Sequence, residues 1–282
     1  MDKNGILYLC ATPIGNLEDI TLRVLRILEE ADIIAAEDTR RTVKLLNYYQ
    51  IKTPAISYHE HNKEKRGVEI LRKLQEGKKA ALVADAGTPG ISDPGFELIQ
   101  QCIESGIQVI SLPGPCAAVT AVTVSGFPIN RFVFYGFLSK KKKERRKEME
   151  QIAQQDKTVV FYEAPHRLLR TLRELLESTG DQKAAVCREL SKIYEEIKRG
   201  TLSELIHYFE STPPKGEITV VIRAKEEQDS CARGSLSQGI QEVKQLKEAG
   251  LREKEAVKRV ARYLNLPPRE LYKEVVEEKE KK

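Results

Sequence analysis

The chain's 282 residues, about twice a common domain length, call for two domains and leave room for a small third. Apolar residues at 40% and charged residues at 32% suffice for real cores, and no apolar run approaches the roughly 20 residues that cross a bilayer, so a soluble chain with no membrane partner is expected. The net charge of +5 is unevenly spread: residues 140–147 (KKKKERRK) hold seven bases and one acid, a local +6 that leaves the rest of the chain at −1.

Met1-Asp2-Lys3-Asn4 precedes an apolar stretch cut short by Pro13 and Gly15, unlike the basic start and longer apolar core of a secretory signal, so a cytoplasmic protein is expected. Short apolar runs then alternate with helix-length amphipathic stretches to about residue 126, the pattern of an α/β domain. Strands are predicted over 6–10, 33–36, 55–58, 80–84 and 107–112, each followed by a loop and a helical segment. Leu22, Leu25 and Leu28 line one helix face, and Phe96, Ile99 and Ile103 another. The expected product is a mostly parallel sheet covered on both sides.

After Gly126-Phe127-Pro128 a second α/β domain begins, with strands over 132–137, 158–162, 184–189 and 217–224, and a short one at 195–198. Helices are expected over 143–154 and 168–178, the latter with Leu168, Leu172, Leu175 and Leu176 on one stripe. The sequence turns polar over 225–234, which reads as a linker, and is helical from Ser235 onward. The division is therefore 1–126, 127–226 and 235–282. In the last unit Val257, Val260, Ala261 and Leu264 repeat with helical spacing, and Leu266-Pro267-Pro268 starts a second helix carrying Leu271 and Val275. Two short helices and a tight turn fit a small packing or dimerisation bundle; they also fit a nucleic-acid reader using Arg252, Lys254, Lys258, Arg259 or Arg262. Five widely spaced cysteines (Cys10, Cys102, Cys116, Cys187, Cys231) with no Cys-x-x-Cys pair argue against a disulfide framework and a zinc site.

Ligands of parallel sheets lie beyond the carboxyl ends of the strands, so the loops there carry the chemistry. The first, Ala11-Thr12-Pro13-Ile14-Gly15-Asn16, lacks both the dinucleotide glycine spacing and the Walker lysine, and serves equally as a tight turn into a helix capped near Asp19 or Thr21. The fourth, Asp85-Ala86-Gly87-Thr88-Pro89-Gly90-Ile91-Ser92-Asp93-Pro94-Gly95, has three glycines and two prolines in eleven residues, a contorted backbone that a ligand can approach closely. Ser92 or Asp93 is also suited to cap the next helix. Leu112-Pro113-Gly114-Pro115-Cys116-Ala117-Ala118 is a stiff turn followed by small side chains, with room for a flat ring. Glu37-Asp38-Thr39-Arg40-Arg41 brings acids and guanidinium groups to one sheet edge, as substrate groups or as an ion-paired helix start. His59 and His61 have too few clustered partners for zinc, and no Gly-x-Ser-x-Gly elbow is present.

Taken together, Thr12-Pro13-Ile14-Gly15-Asn16-Leu17, Ala36-Glu37-Asp38-Thr39-Arg40, the loop from Asp85 to Gly95, Pro113-Gly114-Pro115, FYGFLSK from Phe134 to Lys140 and Phe161-Tyr162-Glu163-Ala164-Pro165-His166-Arg167 resemble the tetrapyrrole methylase superfamily and, within it, the ribosomal RNA small subunit methyltransferase I group. Cys116 stands where a serine is common, and Ser191 where the group often has threonine. The resemblance implies two α/β domains with a cleft for S-adenosyl-L-methionine between them, plus a small C-terminal helical unit. It implies methylation of the ribose 2′-hydroxyl of a cytidine in the decoding region of 16S rRNA, within the small ribosomal subunit, by a cytoplasmic homodimer. By the same resemblance the cofactor contacts fall on Ile14, Thr88, Ile91, Cys116, Ala117 and Tyr162; Asp85 and Gly87 join them on loop chemistry.

Methyl transfer to oxygen is an in-line displacement that depends on alignment and needs no metal, and a carboxylate or histidine near the acceptor assists loss of its proton. Strand-end placement makes Glu37 and Asp38 the candidates for base or hydroxyl orientation, with Arg40 gripping phosphate or carboxylate and His59 in reserve. Lys140, Lys141, Lys142, Lys143, Arg145 and Arg146 are candidates to track an RNA backbone, or form a solvated helix face. Two other readings stay open: methylation of a corrin or porphyrin carbon, which has little use for a cationic run, and a non-catalytic nucleic-acid-binding regulator, which has none for the Gly/Pro loop.

Overall fold

The computed structural model describes residues 5–223, 236–248, 250–264 and 266–280. The chain divides into two compact units, one ending at Arg223 and one following it.

The first unit holds two five-stranded sheets. In the first, β1 (Ile6–Cys10), β2 (Ile33–Ala36), β3 (Ala55–Ser57), β4 (Lys79–Val83) and β5 (Gln108–Leu112) run in the order β3-β2-β4-β1-β5 with every pair parallel. Helices α1 (Leu22–Glu30), α2 (Thr39–Tyr48), α3 (Lys63–Gln75) and α4 (Phe96–Glu104) cover both faces. Continuous Ile, Leu, Val and Ala runs suit strands buried on both sides. One core joins Val24, Ile27, Leu28 and Leu46 to the sheet; the other joins Ile70, Leu74, Leu98 and Cys102. The strands match their predicted positions to within a residue at either end, while two helix faces match only in part. Leu22 is 85% exposed, and Phe96 and Ile103 are 68% and 63% exposed. Leu28 is buried and Leu25 and Ile99 pack partly against the cores as predicted, but the buried stripes are centred beside them, on Val24/Ile27/Leu28 and Leu98/Cys102, because each helix is apolar on adjoining stripes and packing sets which is deepest.

The second sheet contains β6 (Phe132–Phe137), β7 (Thr158–Glu163), β8 (Lys183–Arg188), β9 (Glu196–Thr201) and β10 (Ile218–Ile222) in the order β6-β7-β10-β8-β9. Only β6 and β7 pair in parallel. On one face lie α6 (Lys142–Ala153), α7 (Leu168–Thr179) and α8 (Leu202–Ser211), anchored by Met149, Ile152, Leu172, Leu175, Leu205 and Phe209. The sequence reading passes over α8, although Thr201-Leu202-Ser203-Glu204 forms a capping box at its start. The opposite face is covered by α5 (Ala117–Ser125), whose Ala118, Ala121 and Val122 pack on Val160, Ala185 and Val221. So α5 follows the first sheet in the chain and packs on the second. The Arg199 guanidinium donates to the last carbonyls of α5, those of Val124 and Ser125.

The second unit consists of α9 (Leu236–Glu248), α10 (Glu253–Tyr263) and α11 (Pro268–Glu280). Val257, Val260, Ala261, Leu264, Leu271 and Val275 are buried as their spacing predicts, and Val243 of α9 completes the core. The unit is thus a three-helix bundle rather than a helix pair. The expected linker at 225–234, Cys231 and the side chain of Arg262 lie outside the described residues.

Candidate active site

The loops after β1, β4 and β5 lock together at the carboxyl edge of the first sheet. Thr12 and Gly87 exchange backbone hydrogen bonds, each 2.9 Å, and Thr12 Oγ1 donates to the Ala84 carbonyl at 3.0 Å. Thr88 Oγ1 donates to the Pro115 carbonyl at 3.0 Å. Two glycines make this possible. Gly87 has φ +84°, where an L side chain is strained, and a Cβ on Gly114 would stand 2.6 Å from Ala11 Cβ.

The second sheet supplies the facing wall. Tyr162, near the end of β7, accepts a hydrogen bond at 3.3 Å from the Ala118 amide and packs its ring against Phe134 and Phe137 at 5.0 and 5.5 Å. Burial, with Cys116 beside it, pushes the Tyr162 phenol up. On the same wall Leu190 presses toward the first loop: a Cβ on Gly15 would lie 2.8 Å from its carbonyl oxygen. The Ser191 hydroxyl donates to the Asp19 carboxylate, tying the two loops together. Between the walls is a cavity of about 380 Å³, a size typical of small-molecule sites.

Carboxyl groups dominate the polar lining. Glu37 accepts from the Asp85 amide at 3.3 Å; Asp85 accepts from the Asp38 amide at 2.9 Å and pairs with Arg41 at 3.3 Å. Burial, and then the charge of Asp85, raises Glu37 above the usual carboxylate range, although the Asp85 amide bond opposes this. Asp93 is pushed up to about 7, first by burial and then by the charges of Glu37 and Asp85. Such crowding favours a ligand that brings positive charge.

Ile14, Glu37, Asp85, Gly87, Thr88, Ile91, Cys116, Ala117 and Tyr162 all line this cavity, and Arg41, Asp93, Glu163 and Glu217 line it as well. Asp38 and Arg40 do not. Asp38 caps α2 by accepting from the Arg40 amide at 2.9 Å, and its carboxylate holds the Arg40 guanidinium at 3.0 and 2.7 Å. That pairing holds Asp38 well below the usual carboxylate range and leaves Arg40 pointing to solvent. The ion-paired helix start is therefore what these two residues form. Asp93 is no helix cap, since Gly95 occupies the N-cap position. Its signal was its place within the Gly/Pro loop. His59 lies outside the cavity, its Nε2 3.2 Å from Asn62 and its Nδ1 buried with no partner among the described residues.

Lys140, Lys141, Lys142, Lys143 and Arg146 are exposed around the start of α6. Lys141 pairs with Glu144 at 3.2 Å and Arg146 with Glu150 at 3.1 Å. Arg145 is the exception. It turns inward, its side chain 5% exposed and its Nε 2.5 Å from Glu174, so it is not available to a nucleic acid.

Residues 6–206 match the family described as Tetrapyrrole (Corrin/Porphyrin) Methylases. The chain belongs to the tetrapyrrole methylase family. Among curated members, the Ribosomal RNA small subunit methyltransferase I of Halalkalibacterium halodurans is 48% identical over 96% of this chain and 94% of its own length. The protein of that name from Bacillus subtilis is 46% identical over 95% and 93%. The one from Thermotoga maritima is 51% identical and matches over its full length, covering 79% of this chain. Two solved tetrapyrrole methylases share the fold: cobalt precorrin-4 methyltransferase, with a TM-score of 0.60 at 15% identity, and uroporphyrin-III-C-methyltransferase from Thermus thermophilus, with 0.56 at 22%. Each covers 77% of this chain and matches over 94% of its own. This tetrapyrrole methylase family member is a methyltransferase, and the cavity between its sheets is the candidate place of transfer.

Proposed function

We propose that the protein is an S-adenosyl-L-methionine-dependent methyltransferase of 16S rRNA, and that the acceptor is the ribose 2′-hydroxyl of a cytidine in the decoding region. The observation that carries the cofactor reading is the group of three carboxyls, Glu37, Asp85 and Asp93, around a cavity walled by glycine-rich backbone. S-adenosyl-L-methionine is a sulfonium with an α-amino group, and it fits a site built to attract positive charge. When bound it supplies an electrophilic methyl group. Asp85 and Asp93 would hold its cationic and hydroxyl groups, while Gly87, Thr88 and Ala117 leave room for its ring beside the main chain. Ile14 and Tyr162 exclude water from opposite walls.

Alignment of acceptor and donor provides most of the rate in such a displacement. Glu37, raised by burial, would orient the acceptor hydroxyl and take its proton, and Arg41 beside it would meet a phosphate. Lys140, Lys141, Lys142, Lys143 and Arg146 would track the RNA backbone. The catalytic unit is read as two lobes, 1–126 and 127–226, followed in the chain by the helical unit 235–282, and acts as a cytoplasmic homodimer on the small ribosomal subunit. The cationic segment and the names of the close relatives favour RNA over a corrin or porphyrin acceptor.

The test is incubation with isotopically labelled S-adenosyl-L-methionine and undermethylated small ribosomal subunits, followed by mapping of the label. One cytidine sugar in the decoding region is the expected acceptor. Label on a base, or none on the RNA, would refute the assignment.

A further inference from the structure

The cationic segment is stitched to the cavity wall by a buried ion cluster. Glu163 ends β7, one residue after Tyr162, and its side chain is 0% exposed. Arg167 Nε lies 3.1 Å from Oε1, and Arg145 Nη2 3.6 Å from Oε2. The Thr171 hydroxyl links the set, donating to Glu163 Oε2 at 2.5 Å and accepting from Arg145 Nη2 at 2.6 Å. Arg167 also uses its second prong: Nη2 donates to the Leu138 carbonyl at 2.8 Å. The next residue is held too. The Ser139 amide donates to Glu148 at 2.8 Å, and its hydroxyl accepts from the Lys141 amide at 3.2 Å and donates to Glu144 at 2.9 Å. Residues 138–141 therefore form a braced turn between Phe137, in the cavity wall, and the exposed lysines that follow.

Apolar side chains of equal volume would stabilise the interior at least as well as this cluster. What a planar guanidinium supplies is two fixed directions at once, here one toward Glu163 and one toward the Leu138 carbonyl. We propose that Arg167, held by Glu163, is a positioning residue for the RNA: it braces the turn at 138–141 so that the cations of 140–143 stand at a set place relative to the cavity. The inference rests on the reading of that segment as the RNA-facing surface.

Arg167→Lys keeps a charge beside Glu163 but replaces the fork with a single ammonium. Ser139→Ala loosens the same turn from the surface without altering charge, and serves if Arg167→Lys does not fold. Full-length variants are compared with wild type for S-adenosyl-L-methionine affinity by calorimetry and for steady-state methylation of undermethylated small subunits. Both are also placed in a background carrying Lys140→Gln, Lys142→Gln and Lys143→Gln. Misplacement of the cations should raise KM for the subunits about tenfold in Arg167→Lys and about threefold in Ser139→Ala, with cofactor affinity within about twofold of wild type. In the triple-glutamine background each KM effect should shrink to less than about twofold, because three of the four cations being positioned are gone and the fourth, Lys141, is paired with Glu144. An unchanged KM in a folded variant, a parallel loss of cofactor affinity, or a full effect in that background would overturn the proposal. Wild-type protein that binds the cofactor but transfers nothing to subunits would instead overturn the function on which it rests.

Discussion

Asp93 is half-buried beside two other carboxyls, and its proton decides how negative the cavity is. With Asp93 at about 7, acidification from pH 8 to 6 neutralises the charge that faces the cationic cofactor, and affinity should fall about tenfold over that span. Calorimetry across the range tests this, and a flat profile would remove Asp93 from the cofactor site. The stability effect has the opposite sign. A carboxyl raised above its unfolded value of 3.8 favours the fold when protonated, a contribution fully present below 3.8 and lost as pH rises from there through about 7. Asp93→Asn should therefore bind the cofactor more weakly than wild type while melting about 2–4 °C higher at pH 8. The role of Asp38 was not legible at this scale in the sequence. An acid before two arginines reads alike as a base or as a cap, and only the direction of the side chain, onto Arg40, separates the two.

The cationic run divides along α6. Helical periodicity turns one residue of KKKKERRK inward, and in this register it is Arg145, which meets Glu163 and Glu174. Replacing Lys140, Lys142, Lys143 and Lys147 with glutamine should flatten the salt dependence of RNA affinity, by about 0.7–0.9 in log–log slope for each phosphate deprived of its lysine, with little change in melting temperature. Arg145→Ala should do the reverse. It takes one partner each from Glu163 and Glu174, which keep Arg167 and Arg170, at a cost of about 1–3 kcal/mol, and denaturant titration would show the loss directly. Equal effects of the two sets on the salt slope would mean that Arg145 faces the RNA after all. Charge counting cannot make this division, since the eight residues look uniform until a helix face is chosen.

For the molecule as a whole, both sheets and the cavity lie within residues 5–223, and the three-helix bundle has a core of its own. A chain ending at Arg223 should unfold in a single transition and bind S-adenosyl-L-methionine within about twofold of the full chain. Loss of cofactor affinity on truncation would place part of the site in the bundle.

The sequence by itself determined the strands of both sheets, the glycine and proline loops, and the stripe that buries Val257 to Leu264, because strand runs and helical repeats are local and loop conformation is dictated by residue type. Tertiary structure alone decided which apolar stripe of α1 and α4 is buried, that α5 packs on the second sheet, and that Asp93 rather than Asp38 faces the cavity. Those outcomes depend on which groups from distant parts of the chain arrive opposite one another. Burial, ion pairing and shifted protonation follow from that meeting, and residue spacing does not encode it.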